Sequence, residues 1–326
     1  MASRTGNLSR YLKPVSVSVA VTVGLYLAAI LLTDGAEVVA RLRSLPAGFL
    51  ALAVALPTLA FLFRFLRWDV YLRALGHALP PARHLQIYLG GFALTATPGK
   101  VGENLRALYL RPWGVPMSHS VAAFTAERLG DLVAMLLLSG LAFGLVGEYR
   151  WVLAASVVVT LAGLLVVRHP GVAAALQSRA DPSRVTGRVL AATGRALGAA
   201  GALLTPRLLG AGVAVALLAW GAEALTFALV AREVGIGVPV VTGMGIFAVA
   251  TLLGAVSFLP GGVGATEAVM AALLVVAGGT LPEAAAAILI IRVVTLWWAV
   301  LLGVLAVLGL GAPPLEQNLR PGESQG

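Results

Sequence analysis

Long uninterrupted runs of apolar residues dominate this sequence of 326 residues. A hydrocarbon core of about 30 Å needs about 20 apolar residues per spanning helix, and six runs approach that length. Only 11% of the residues are charged, against about 25% in a soluble domain. A water-soluble fold would expose too much apolar surface, so we expect an all-α, polytopic integral membrane protein. The six predicted full spans are 15–33, 47–66, 129–147, 151–167, 208–231 and 284–309.

Two further apolar segments are interrupted by proline and glycine. Residues 84–97 would cover only about 21 Å as a helix, and they lead into Pro98–Glu103 (PGKVGE). Residues 240–258 lead into Leu259–Gly264 (LPGGVG) and then a second short run to Gly278. Proline removes a backbone donor and glycine frees φ, so we expect broken helices. Broken backbone at membrane depth needs protein or water around it. We therefore predict two re-entrant hairpins.

The distribution of Lys and Arg favours this topology. If the first hairpin enters from the cytoplasm and the second from outside, 18 of the 23 Lys and Arg residues lie in cytoplasmic segments, in agreement with the positive-inside rule. The protein is then integral to the cell membrane, with both termini on the cytoplasmic side. If each hairpin were an ordinary span, the basic loop at 168–207 would lie opposite the N-terminus. An amphipathic surface helix and an ordinary connector both remain open for this loop.

The domain organisation follows from this topology. We expect a short cytoplasmic segment at 1–14, one transmembrane domain at 15–310 and a disordered cytoplasmic tail at 311–326. The run from Val15 lacks a clean small-residue cleavage site, so we expect a retained helix rather than a cleaved signal peptide.

The net charge of +9 is attributed to cytoplasmic loops and to contact with anionic lipid, not to nucleic acid. The chain has no cysteine and four scattered histidines, so we predict no metal site and no cofactor.

The sequences after the two breaks resemble each other. Glu103 precedes Arg128 by 25 residues, and Glu267 precedes Arg292 by 25. Each arginine also follows a pair of alanines. We infer an internal duplication whose copies have opposite orientations, which is the inverted-repeat plan found in transporters. A duplicated structural hairpin without transport is the alternative. The predicted copies span about 47–167 and 208–310.

Charged residues within the apolar segments are the candidate functional groups. Each one costs about 2.5–3.5 kcal/mol at the centre of a membrane helix, so it needs a partner or a cavity. Internal ion pairs that only fix the helices are the alternative to a ligand site. Glu223 suits a proton relay, a cationic headgroup or a neutral acid, while Arg64 and Arg67 suit snorkelling anchors or headgroup contacts. The predicted lipid-binding and translocation residues are Pro98, Gly99, Lys100, Gly102, Glu103, Arg106, Glu127, Arg128, Asp131, Glu223, Pro260, Gly261, Gly262, Gly264, Glu267 and Arg292.

At these residues the sequence resembles the lysylphosphatidylglycerol synthase transmembrane-region family. The resemblance implies a flippase-like module that moves or presents an amphipathic lipid. Such modules are sometimes fused to an aminoacyl transferase or accompany enzymes acting on polyprenyl-linked sugars. Nothing resembling the transferase follows Gly311, so we do not expect aminoacylation. Lys100 stands where arginine is common in the family, which weakens a bidentate grip on phosphate. The matching residues, within about 10–310, are Arg67-Trp68, Thr97–Glu103, Arg106, Glu127–Asp131, Leu259–Gly264, Glu267 and Arg292.

Three hypotheses follow for the function. The first is a flippase or transporter for a phosphate-bearing lipid, which works by alternating access and is not an enzyme. The second is a non-transporting subunit that presents a lipid to a separate glycosyl- or aminoacyl-transferase. The third, ranked last, is an intramembrane enzyme. The expected partners are membrane lipids, and the sequence does not predict the lipid, the direction, the energy source or the oligomeric state. The expected phosphate ligands are Lys100, Arg106, Arg128 or Arg292.

Overall fold

The computed structural model describes residues 35–95, 103–142, 150–181, 183–257, 259 and 262–311. Within these ranges the regular structure is entirely helical, which confirms the all-α prediction. The α-helices of the described residues are α1 (Gly35–Arg43), α2 (Ala47–Ala74), α3 (Pro81–Gly90), α4 (Arg106–Leu110), α5 (Met117–Ser139), α6 (Arg150–Arg168), α7 (Pro170–Ser178), α8 (Val185–Leu203), α9 (Pro206–Glu233), α10 (Val240–Val256), α11 (Ala265–Val276), α12 (Leu281–Arg292) and α13 (Trp298–Leu310).

Three helical stretches of the described chain are long and apolar enough to cross a membrane. They are α2, α9 and the continuous stretch Leu281–Leu310, in which a π-helical turn at Val293–Trp297 joins α12 to α13. The helices α6 and α7 give a fourth candidate, bent by 63° at the break between them. The predicted span at 15–33 lies outside the described residues. The predicted spans that fall on these helices are 47–66, 151–167, 208–231 and 284–309.

The predicted span at 129–147 falls on the second half of a longer helix and runs into residues outside the described ranges, so its bounds stay a prediction. The helix α5 begins after Pro116 and ends at Ser139, and residues 143–149 are not described. An apolar-run criterion starts this span after Glu127 and Arg128, although the helix itself continues through them. In the fold, however, Glu127 and Asp131 are buried with arginine partners, so the charged stretch lies inside the helix.

At each predicted break, one described helix ends before the break and another begins after it. The helix α10 ends at Val256 and α11 begins at Ala265. Between them, Gly262 and Gly264 have φ of +68° and +93°, a region that glycine adopts without the cost of a Cβ. In the first half, a 3₁₀ turn at Gly91–Leu94 continues α3, and α4 begins after the break. The predicted break residues outside the described part of the chain are Pro98, Gly99, Lys100, Gly102, Pro260 and Gly261.

The helices α2 and α9 form an antiparallel pair of equal length, with 28 residues each. Arg67, residue 21 of α2, contacts the carbonyl of Gly212, residue 7 of α9. Conversely, Ala53, residue 7 of α2, and Thr226, residue 21 of α9, line one small gap. The helices therefore cross at equivalent positions. Glycine at 212 permits the close approach, because a Cβ there would collide with the Tyr71 hydroxyl.

Two hydrophobic clusters surround this helix pair. One lies mainly among α9, α10, α11 and α12 and includes Phe227, Phe247 and Ile291. The other lies mainly among α2, α3, α4, α5 and α13 and includes Trp68 and Tyr88. Each predicted copy thus contributes most of one cluster, and the boundary between the clusters contains the cavity described below.

The basic loop predicted at 168–207 is helical, with α7 and α8 packed against each other. The face of α8 that contains Gly194 and Ala200 is buried, and α8 also packs against α5. Arg184, Arg188 and Arg195 are exposed. The helix α8 therefore has one buried face and one exposed, basic face. Its position on a membrane surface stays a prediction.

Candidate functional site

A cavity of about 300 Å³ lies between α2, α5, α9, α10 and the π-helical turn. Much of its wall is apolar, and the rings of Phe61, Phe92, Trp220 and Phe247 contribute to it. The volume lies at the lower end of the range for small-molecule sites. Among the described residues, three basic and three acidic side chains also line it, so the formal charges of these six balance. These six are Arg64, Arg128, Arg292, Glu103, Asp131 and Glu223.

Arg64 of α2 and Glu223 of α9 form a buried ion pair at this cavity. Arg64 Nη1 lies 2.6 Å from Glu223 Oε1, and both side chains are less than 10% exposed. The guanidinium carbon of Arg64 lies 4.3 Å from the ring centroid of Trp220, a distance typical of a cation–π contact. The Nη2 atom of Arg64 is buried and has no hydrogen-bond partner among the described residues. A guanidinium has five N–H donors, so the described partners of Arg64 use only part of its donor capacity.

Arg292 and Glu267 form a second ion pair. Arg292 Nε lies 2.7 Å from Glu267 Oε1. The other oxygen of Glu267 accepts a hydrogen bond from the Gly264 backbone N–H at 2.7 Å, which caps the first turn of α11. Such a carboxylate is also favoured there by the helix dipole. Within the described residues, Arg292 Nη2 is buried without a hydrogen-bond partner. Glu267 therefore holds Arg292 at the cavity wall through an ion pair.

A chain of ion pairs runs behind the cavity wall through α2, α4 and α5. Arg67 Nη2 lies 2.8 Å from an Asp131 oxygen and 3.7 Å from a Glu127 oxygen. Arg106 lies 3.0 Å from Glu127, and Arg128 lies 3.0 Å from Asp131. Breaking a buried pair leaves an uncompensated charge and is strongly destabilising. The chain therefore fixes the positions of Asp131 and Arg128 at the cavity.

The two carboxylate–arginine pairs with the 25-residue spacing both form. Glu103 lies 3.7 Å from Arg128, and Glu267 lies 2.7 Å from Arg292. Both arginines line the same cavity. The hydroxyl of Thr95 also donates to Glu103 at 2.7 Å. Two residue pairs with the same spacing thus form ion pairs at one site.

The chain matches the family model described as lysylphosphatidylglycerol synthase TM region over residues 15–303. It belongs to that family. Two relatives from Methanothermobacter thermautotrophicus (strain ATCC 29096 / DSM 1053 / JCM 10044 / NBRC 100330 / Delta H) are each described as UPF0104 membrane protein. One is 25% identical over 321 residues, which cover 89% of this chain and 94% of the relative. The other is 25% identical over 294 residues, 81% of this chain and 84% of the relative.

As a member of the lysylphosphatidylglycerol synthase TM-region family, the protein is a membrane protein related to lipid handling. The names of the two relatives state a membrane protein and no activity. The matched residues include every side chain that lines the cavity. The described lining of the cavity therefore lies within the region that the family model matches.

Several predicted site residues have a different role from the one expected. Arg64 and Arg67 are not snorkelling anchors, because they are only 6% and 2% exposed. Arg64 lines the cavity, while Arg67 lies behind it. Arg106 was an expected phosphate ligand, but it is 1% exposed and stacks on Trp68, with 3.8 Å from the guanidinium carbon to the ring centroid. Neither Arg106 nor the fully buried Glu127 lines the cavity, so both support the wall instead.

Sequence reasoning missed the aromatic part of the wall. Trp220 precedes Glu223 by three residues on one helix, a spacing that places both on one face, so this signal was available. Phe92 and Phe247 gave no signal, because they do not differ in sequence from ordinary apolar residues. Gly262, one of the predicted lipid-binding residues, lines the cavity. Within the described ranges, no three His, Cys, Asp or Glu side chains are arranged to hold a metal ion.

Proposed function

We propose that this protein transports an amphipathic, phosphate-bearing lipid across the cell membrane by alternating access. The observation that carries the proposal is a pair of arginines, Arg64 and Arg292, which line one cavity and each have a buried Nη2 without a hydrogen-bond partner among the described residues. Arginine binds phosphate through charge-assisted hydrogen bonds in a fixed planar geometry. Phospholipids, aminoacyl-phospholipids and polyprenyl-phosphate-linked lipids all carry the required group.

The apolar side of the cavity would receive the start of the lipid chain. Phe61, Phe247 and Leu252 line this side. Leu259 also lines the cavity and is 45% exposed, so it lies at the rim. A volume of about 300 Å³ suits a headgroup and not a whole lipid. The chain would therefore extend past the rim into the bilayer while the phosphate stays beside the arginines.

Two inverted copies would supply the two access states. In this proposal six helices span the membrane, and two re-entrant hairpins lie around the breaks at 98–103 and 259–264, with both termini cytoplasmic. The antiparallel α2–α9 pair, whose contacts fall at equivalent residues, supports the inversion. Two ion pairs with the same 25-residue spacing support the duplication. Inverted repeats commonly rock about a site near the bilayer midplane.

The charge balance of the cavity suggests how lipid binding favours movement. Without lipid, each cavity arginine has a carboxylate partner, which lowers the cost of burial. A phosphate would compete with these carboxylates for the guanidinium groups. Arg64 and Glu223 belong to opposite copies, so this competition weakens a contact between the copies. A ligand shifts a conformational equilibrium through such differential contacts.

A proteoliposome assay tests the proposal. We expect purified protein to move fluorescently labelled phosphatidylglycerol between leaflets, detected by quenching of the outer leaflet. Arg292→Gln should slow transport about tenfold or more, because hydrogen bonds to charged groups contribute about 1.5–3 kcal/mol. Arg195→Gln, at an exposed arginine of α8, is the matched control and should have no effect.

The other outcomes separate the alternatives. Lipid binding without movement would favour the lipid-presenting subunit over the transporter. A change in the mass of the lipid would favour an intramembrane enzyme, whereas we expect the lipid to remain chemically unchanged. Equal rates for protein-free liposomes and for the wild type with each labelled lipid class would contradict transport.

A further inference from the structure

A buried histidine outside the cavity uses both ring nitrogens. His84 of α3 is 0% exposed. Its Nε2 lies 3.0 Å from Trp68 Nε1, and its Nδ1 lies 2.9 Å from Asp69 Oδ1. An indole N–H can only donate a hydrogen bond, so His84 Nε2 must accept it. The ring is therefore neutral in this arrangement, with its proton on Nδ1 and donated to Asp69.

A proton added to this ring is incompatible with the Trp68 contact. Both nitrogens of a protonated histidine are donors, so the indole N–H would face another donor. Asp69 would keep its hydrogen bond from Nδ1 and balance the new charge. The Asp69 side chain is 19% exposed and also pairs with Arg73 at 2.6 Å. Asp69 thus connects the buried ring to the protein surface.

The charged groups around His84 come from the helices packed against α3. The helix α2 supplies Asp69 and Arg73, and α4 supplies Arg106. On α3 itself, Tyr88 lies four residues after His84, and the adjacent Arg83 is exposed and donates a hydrogen bond to Gln86. The helix α13, which also packs against α3, has no ionisable side chain. A protonated His84 would therefore face one carboxylate and two guanidinium groups among the described residues.

Trp68 connects His84 to the ion pairs behind the cavity wall. The guanidinium carbon of Arg106 lies 3.8 Å from the Trp68 ring centroid. Arg106 also holds Glu127 at 3.0 Å, and Glu127 contacts Arg67 at 3.7 Å. Arg67 in turn lies 2.8 Å from Asp131, which lines the cavity. A movement of the indole would therefore act on the wall through Arg106.

We propose that His84 and Asp69 form a proton-binding site that controls the lipid cavity. A proton on Nε2 displaces the Trp68 indole, so that Arg106 loses its stacking contact with this ring. The protonated His84 is also a new cation near Arg106. The pairing of Glu127 then relaxes, and the cavity binds lipid less tightly. By linkage, bound lipid must lower the proton affinity of His84 by the same factor. The link to lipid rests on the proposed function, whereas the proton site does not.

Nitrogen NMR of protein labelled with ¹⁵N-histidine and ¹⁵N-tryptophan tests the proton site without lipid. The chain has four histidines, so His84→Gln and Trp68→Phe assign the two signals. We expect the Nδ1–H tautomer at neutral pH. The pH is lowered from neutral through the ordinary histidine pKa, around 6.5, to about two units below it. Over this range His84 should become protonated, and the Trp68 indole signal should shift with it. An Nε2–H tautomer, the absence of protonation, or protonation without an indole shift would overturn the proposal.

Lipid binding tests the coupling. Affinity for fluorescent phosphatidylglycerol should fall at least about fivefold from neutral to acidic pH, a typical size for coupled sites. His84→Gln keeps an acceptor for Trp68 and a donor for Asp69, so its affinity should not change with pH; His84→Asn serves if that variant does not fold. The exposed His169→Gln is the matched control and should behave as wild type.

Equal pH dependence in wild type and His84→Gln would overturn the coupling. Absence of binding at every pH would contradict the proposed function, while the NMR result would still decide the proton site.

Discussion

Arg64 and Glu223 are each residue 18 of a 28-residue helix, and they pair with each other at 2.6 Å across the antiparallel α2–α9 contact. Phe61 and Trp220 stand three residues earlier on the two helices, and both rings lie near the guanidinium, at 6.0 and 4.3 Å. Equivalent positions in the two predicted copies thus carry opposite charges. Each copy supplies the partner that the other needs in order to bury its charge beside the cavity.

Removal of one charge of this pair should destabilise the protein strongly. We expect Arg64→Gln to lower the free energy of unfolding by about 3–5 kcal/mol, because Glu223 is then buried without its partner. The double variant Arg64→Gln/Glu223→Gln should recover much of this loss. Thermal unfolding in detergent measures the effect. Arg184→Gln, at an exposed pair, is the control and should change little. A single variant as stable as wild type would contradict the role of the pair.

The close approach of α2 and α9 should depend on one glycine. A Cβ at residue 212 would collide with the Tyr71 hydroxyl, whereas a Cβ at residue 210 meets nothing within 4 Å. We expect Gly212→Ala to destabilise by about 1–3 kcal/mol through overpacking. Gly210→Ala, in the same helix, should be neutral or slightly stabilising because alanine favours the helix. Thermal unfolding of the two variants checks this, and equal midpoints would contradict the predicted collision.

Neutralising Glu267 should make the cavity retain anionic lipid more strongly. Glu267→Gln keeps an oxygen that can cap α11 but leaves Arg292 without its carboxylate. The cavity region then gains one positive charge, and we expect several-fold more phospholipid per protein after purification. Phosphorus analysis measures this. Glu283→Gln is the matched control, since Glu283 also caps a helix and pairs with an arginine, Arg41, yet Arg41 does not line the cavity whereas Arg292 does. An equal lipid content in both variants would contradict the prediction.

Charges of the cavity could be located from the sequence because they interrupt apolar runs. A charge in such a run needs a partner or a cavity, and Glu267 and Arg292 do pair with each other. The position of Arg106 under Trp68 could not be predicted, since that contact joins two helices whose packing has no sequence pattern. The start of α5 at Met117 was missed for a related reason. Apolar-run analysis treats Glu127 as exposed to lipid, although Arg67 and Arg106 neutralise it in the fold.

The loop after α2 should make stability depend on pH. His77 Nε2 lies 2.8 Å from His119 Nδ1, and partial burial, with a smaller contribution from His119, lowers the pKa of His77. The unfolded chain therefore binds a proton more readily than the folded protein. Stability should fall as the pH drops below the ordinary histidine value near 6.5. We expect a smaller loss in His77→Gln, measured as the unfolding midpoint at about pH 7.5 and about pH 5.5. An equal loss in both proteins would contradict this.

Native mass spectrometry of the purified protein tests the lipid-binding role of the cavity arginines most directly. The account predicts that the wild type and the exposed control Arg195→Gln retain a phosphate-bearing lipid. In Arg292→Gln the bound fraction should fall about tenfold, the lower end expected for loss of a hydrogen bond to a charged group. The same lipids at the same occupancy in all three proteins would contradict the claim that Arg292 holds a lipid phosphate.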